Sequence, residues 1–182
     1  MDERIASQLA DLKFRPAGAA RPADFLALER DLGLPLPADY RGFLGSTGGG
    51  CFEAEVVCRV QDPPPISPDG LAMVGWFYES REGPGSLRAR GLSEGQGMGP
   101  RRLPIMEVPG GDFYCLSWTG RVVCVEYWDH DSGKAYRAGS SFADFVGRLE
   151  LDQRPAPPTG GVKVWLHPDL LRQQGGGDRP AN

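Results

Sequence analysis

Lysine and histidine are scarce in this chain of 182 residues. Three lysines stand against seventeen arginines, and the histidines are His130 and His167. The arginine excess reads as compositional bias. With a net charge of −4, the chain lacks the concentrated positive charge that phosphate contacts require, so no direct nucleic-acid partner is expected. Long hydrophobic runs are missing as well. The first twenty residues hold no uninterrupted apolar stretch, so no signal peptide is expected, and nothing approaches the ~18–20 apolar residues of a membrane span. A cytoplasmic location follows, in which the four cysteines are reduced thiols. Their spacings, Cys51-x6-Cys58 and Cys115-x8-Cys124, do not match the tight pairs of structural zinc sites. Ser46 in "GSTGGG" lacks the Gly-x-Ser-x-Gly spacing of a nucleophile elbow. The glycines after it lack the Gly-Lys-[Ser/Thr] end of a phosphate loop. No catalytic residue, metal or cofactor is implied by these motifs.

What is present suits one domain with a sizeable core, at 40% hydrophobic and 24% charged residues. Glycine and proline are frequent and aperiodic, which predicts a loop-rich fold. "DERIASQLADLKF" places Ile5, Leu9 and Leu12 at helical spacing, ending before Pro16. "RPADFLALERDLG" opens with Pro22, carries Phe25, Leu28 and Leu32 on one face and stops at Gly33. "LPLPADYRGFLGSTGGG" repeats the grammar: Pro37 opens, Tyr40, Phe43 and Leu44 face inward, and Gly48 to Gly50 close it.

From Cys51 the pattern turns to strands. "CFEAEVVCRV" and "LAMVGWFYES" read as strands, separated by a proline-rich loop. Arg81 to Arg102, glycine-rich with five arginines, is expected to be a mobile, solvated loop. "LPIMEV", "DFYCLSW" and "RVVCVEYW" predict three more strands. A two-residue turn at Thr119-Gly120 would pair Trp118 with Arg121, Leu116 with Val123 and Tyr114 with Val125 on a core face shared with Tyr127, and would set Cys115 opposite Cys124. "SSFADFVGRLEL" is the closing helix, capped by Ser141, with Phe142, Phe145, Val146 and Leu149 as its stripe. The domain is placed at 1–152. Residues 153–182 read as a Pro/Gly-rich linker, a segment suited to an edge strand ("VKVWLHPDLL") and a tail with little to bury.

Asp129-His130-Asp131 invites a metal or acid–base reading. On a strand, however, the two aspartates share one face and His130 takes the other, so convergence needs a turn. A solvated strand end, with an aspartate bonding nearby backbone, is the preferred reading. Cys115 and Cys124 could form a redox pair, but read better as small buried hydrophobes. Of the four tryptophans, Trp76 and Trp118 are expected inside, and Trp128, opposite Tyr127, at the surface. Pro104 to Asp152 holds eight acids and four bases, and an acidic face favours basic partners. The candidate partner-binding residues are Asp112, Glu126, Trp128, Asp129 and Asp131.

Several phrases, in order, resemble the Smi/Knr-type SUKH superfamily. "LERDLGLPLPADYRGFLGSTGGG" is similar to its N-terminal signature, "LPIMEVPGGDFYCLSW" to its second, and "VEYWDHDSG" and "SFADFV" to its strand end and closing helix. The resemblance spans about Asp24 to Leu149. It implies an α+β fold, an antiparallel sheet with helices packed against it. Bacterial members are mostly immunity proteins that bind polymorphic toxins, often nucleases, and share no catalytic residues. The expectation is therefore a non-enzymatic protein that occludes a basic cognate toxin. The alternatives are a small metal-dependent hydrolase built on Asp129, His130 and Asp131, and a regulatory or scaffold protein of the same fold.

Overall fold

Helix α1 (Glu3–Asp11) starts where the Asp2 carboxylate accepts from the Arg4 amide at 2.7 Å, satisfying one of the amides a helix start leaves free. Its stripe of Ile5, Leu9 and Leu12 is buried. The computed structural model describes residues 1–61, 69–81, 83, 86–91, 96–99 and 101–154. Helix α2 (Pro22–Leu32) ends on Gly33 at φ +65, and α3 (Ala38–Thr47) ends on Gly48 at φ +66. Both stops use the left-handed backbone that glycine adopts without a Cβ penalty. Tyr40, Phe43 and Leu44 of α3 are fully buried.

The main sheet has seven strands in the order β1-β2-β5-β6-β7-β8-β9. These are β1 (Phe14–Pro16), β2 (Gly50–Phe52), β5 (Trp76–Phe77), β6 (Arg102–Glu107), β7 (Phe113–Thr119), β8 (Val122–Asp129) and β9 (Lys134–Gly139). A second, three-stranded sheet runs β10-β3-β4, from β10 (Leu149–Leu151), β3 (Val56–Arg59) and β4 (Leu71–Met73). All strand pairs within both sheets are antiparallel. The chain therefore has the expected α+β fold, an antiparallel sheet with helices packed on it. Helix α4 (Phe142–Gly147) drives Phe142 and Phe145 into an aromatic cluster with Tyr40, Phe43, Phe77 and Tyr114. Ser141 caps it, accepting from the Asp144 amide at 3.0 Å. Leu149, expected on this helix, belongs to β10 instead.

The β7–β8 hairpin keeps the expected core face but shifts the turn by one residue. Trp118 pairs with Val123, Leu116 with Val125 and Tyr114 with Tyr127. Gly120, at φ +63, takes the first central position of the two-residue turn, where a type II′ loop demands positive φ. Thr119 stays in the strand opposite Val122. Moving the turn by one residue slides the pairing by two, so facing is preserved while partners change. Cys115 lies opposite Glu126, not Cys124.

"LAMVGWFYES" is two strands in different sheets, divided at Gly75. A Cβ there would sit 1.8 Å from the Glu107 carbonyl oxygen, so only glycine lets β5 pass this close to β6. Trp76 then points outward, 41% exposed, and Phe77 inward at 1%. Trp118 is buried as expected, whereas the inward placement of Trp76 is overturned.

Part of the described Arg81–Arg102 segment packs inward: Ser86, Leu87, Gly91 and Met98 are buried. Leu87–Gly91 forms a π-helical turn with Leu87 buried, and Arg88 pairs with Asp31 of α2 at 2.6 Å. Met98 is buried, with its sulfur 3.5 Å from the Cys115 thiol. Met98 thus lies against Cys115, on the sheet face opposite Tyr114 and Leu116, and β7 is buried on both sides. Residues Met1–Asp152 form one compact unit. The expected edge strand, with Trp165 and His167, lies outside the described residues.

Candidate functional site

Two turns meet at one end of the main sheet. The first, between β6 and β7, is held by the Val108 amide donating to the Asp112 carbonyl at 2.9 Å, with Gly110 and Gly111 both at positive φ. The second, between β8 and β9, closes on Gly133 at φ +64, whose amide donates to the Asp129 carbonyl at 2.9 Å. β8 ends at Asp129, so His130 lies in the turn and is not bound by strand alternation. Its ring rests over Gly111, within 3.8 Å of where a Cβ would stand.

The Asp112 side chain is 6% exposed as a residue and fully engaged. One oxygen accepts from the Tyr127 hydroxyl. The other accepts from the His130 amide at 3.0 Å and faces His130 Nδ1 at 2.8 Å. His130 Nε2 lies 3.1 Å from Asp131. The hydrogen bond to Asp112, with the charges of Asp131, Asp112 and Asp129, raises the imidazole above its ordinary range. Burial, and then the Asp112 contact, push the Tyr127 phenol up.

Asp129, 4% exposed, turns its carboxylate back on its own loop. Oδ1 accepts from the Asp131 and Ser132 amides at 3.0 and 3.3 Å, and Oδ2 accepts from Ser132 Oγ at 2.7 Å. These bonds, that of the Ser132 hydroxyl first, lower its pKa. This is the Asx-type turn bonding that aspartate favours.

Of the five expected partner-binding residues, two face inward. Asp112 and Asp129 are buried and their oxygens are occupied, so they do not belong to an exposed acidic face. Asp131 is exposed. Glu126 pairs with Arg102 at 3.0 Å, and the Arg102 guanidinium lies 5.2 Å from the centre of the Trp128 ring. Arg102 also donates to the Met98 carbonyl at 2.8 Å. Trp128 is thus half-covered by a cation stacked on its face, and among the described residues the outward-facing tryptophan is Trp76.

One ligand atom each from Asp112, Asp129 and His130 lie within 4.8 Å of one another. The sequence triad 129–131 does not form this group: Asp112, contributed by the neighbouring turn, replaces Asp131. Each aspartate already has three internal hydrogen-bond contacts, in the case of Asp112 one of them with the His130 ring, which favours a clamp between two turns over an ion site. The thiols differ in exposure. Cys58, Cys115 and Cys124 are buried and Cys51 is exposed. Burial pushes Cys58 up to about 12 and raises Cys115 and Cys124, which makes the buried three poor nucleophiles.

Among the described residues, no helix is long and apolar enough to cross a membrane. No curated protein sequence matches the chain. The sequence profile of the SMI1 / KNR4 family (SUKH-1) matches residues 19–148, from just before α2 through α4. With well over half of its length inside that match, and with the α+β architecture in place, the chain belongs to the SMI1 / KNR4 family (SUKH-1).

Proposed function

We propose that this protein is a non-enzymatic, cytoplasmic binding protein, an immunity protein that neutralises a cognate polymorphic toxin by covering its active site. The observation that carries this reading is the family match across residues 19–148. With Asp112 and Asp129 turned inward, the support for a basic partner comes from the exposed acids of Pro104–Asp152, Asp131 and Glu150 among them. A nuclease toxin holds phosphates with cationic groups, and carboxylates offered in their place speed encounter and suppress wrong partners. The test is whether the adjacent reading frame encodes a large protein with a C-terminal toxin domain, followed by co-expression with that domain. Restored growth and a stable complex on gel filtration are expected. A toxin that kills equally with and without this protein overturns the reading.

The proximity of Asp112, Asp129 and His130 favours a second reading, a metal-dependent hydrolase. Calorimetric titration with zinc, manganese and magnesium separates the two. The binding reading expects no tight one-to-one uptake, whereas stoichiometric binding lost in His130→Ala supports the hydrolase.

A further inference from the structure

Two of the exposed hydrophobic side chains, Met73 and Trp76, 43% and 41% accessible, stand on opposite sides of Gly75, at the end of β4 and the start of β5. Between them and the β2–β3 turn runs a cleft of about 370 Å³. Buried Val56 and Val74 lie among its lining residues. The Val74 amide donates to the Val56 carbonyl and the Asp152 amide to the Glu55 carbonyl, each at 2.9 Å. The cleft is therefore built on fixed backbone. Glu53, Glu55 and Asp152 also line it, and its described lining residues include no base. Nearby Arg15 pairs with Glu53.

We propose that this cleft is a docking site for a basic segment of a partner protein, one that inserts an aliphatic or aromatic side chain between Met73 and Trp76 and sets a flanking arginine or lysine against the exposed Glu55 carboxylate. The inference rests on the reading of this chain as a binding protein and moves its principal contact away from the Asp129–Asp131 turn. Apolar walls within a carboxylate rim reject acidic and purely polar segments, because both leave desolvated groups unpaired. A methionine beside a tryptophan offers an adaptable, polarisable wall with a large anchor, as binding surfaces do.

Cys51 lines the same cleft and is the exposed one of the four thiols, so its alkylation rate reports occupancy. The probes are short peptides alternating arginine with leucine, glutamate with leucine, and arginine with serine. The arginine–leucine peptide is expected to slow Cys51 labelling by about tenfold at saturation, while the other two leave it unchanged. Trp76→Ala is expected to weaken that peptide by about tenfold or more, the loss of an anchor. Glu55→Lys, a surface change that leaves the core intact, weakens it and removes its salt dependence. Equal protection by the glutamate–leucine peptide, or none by any peptide, overturns the proposal. So does labelling that is already slow in the free protein or falls with its own concentration, because the cleft is then filled from within or by a second copy. The toxin arm is read separately. A toxin that binds without shielding Cys51 and ignores Trp76→Ala overturns the cleft but leaves the immunity reading standing. Peptide protection without any toxin binding supports the cleft and overturns that reading.

Discussion

His130 Nδ1 faces Asp112 Oδ1 at 2.8 Å, joining two turns that are separate in sequence. The contact favours the imidazolium, so the His130 pKa is raised. A raised pKa stabilises the fold below the unfolded value of about 6.5, and that contribution is lost as pH rises through the folded value. The charged groups facing it are Asp112 from the β6–β7 turn and Asp131 and Asp129 from its own. His130→Gln should therefore lower the urea midpoint near about pH 5.5 and leave it unchanged near about pH 9. A pH-independent difference between the two proteins contradicts the clamp.

Asp129 and Asp131 are neighbours of opposite character. Asp129→Ala removes the three hydrogen bonds of a buried carboxylate and should cost about 1–3 kcal/mol. Asp131→Ala changes an exposed side chain and should stay within about 0.5 kcal/mol. Because the Asp129 pKa is lowered, its contribution is present above the unfolded value and fades as pH falls through the folded one. Chemical denaturation of both variants at neutral and acid pH checks the ordering. Equal effects count against an inward Asp129.

Thiol labelling should divide the cysteines. Cys51 reacts in the native protein, whereas Cys58, Cys115 and Cys124 react only after denaturation. Mass spectrometry of peptides after timed alkylation reads the order. Native-state modification of Cys115 would contradict its burial under Met98.

Arg102 holds three partners at once: the Met98 carbonyl, Glu126 and the Trp128 ring. A compact ammonium cannot reproduce a planar fork lying on an aromatic face. Arg102→Lys should destabilise the fold by about 1–2 kcal/mol and red-shift tryptophan emission as Trp128 gains water. An unchanged midpoint and spectrum would show that the stacking is incidental.

The three N-terminal helices were legible because Pro22, Gly33, Pro37 and Gly48 punctuate apolar stripes of helical period. The core face of the hairpin was legible too, because alternation survives a shift of its turn. Elements that depend on distant partners left little local trace. β9, "KAYRAG", has weak alternation and exists by pairing with β8. β1 is three residues held against β2. The Asp112–His130 clamp joins side chains eighteen positions apart, and no spacing rule connects them. The outward turn of Trp76 left no such trace either: its neighbours Phe77 and Tyr78 are both buried, so alternation does not single it out.

The ends of the seven-stranded sheet constrain how anything attaches to it. β1 is short and closes on Pro16, which has no amide hydrogen to offer. β9 carries Lys134 and Arg137, and the Arg137 carbonyl already accepts from the Gln61 amide at 2.8 Å. Both borders resist extension by an incoming strand, the usual first step of edge-to-edge aggregation. Anything that docks on these two borders is then met by side chains and surface relief rather than by a continued backbone ladder, so what docks there can change by substitution without disturbing the sheet.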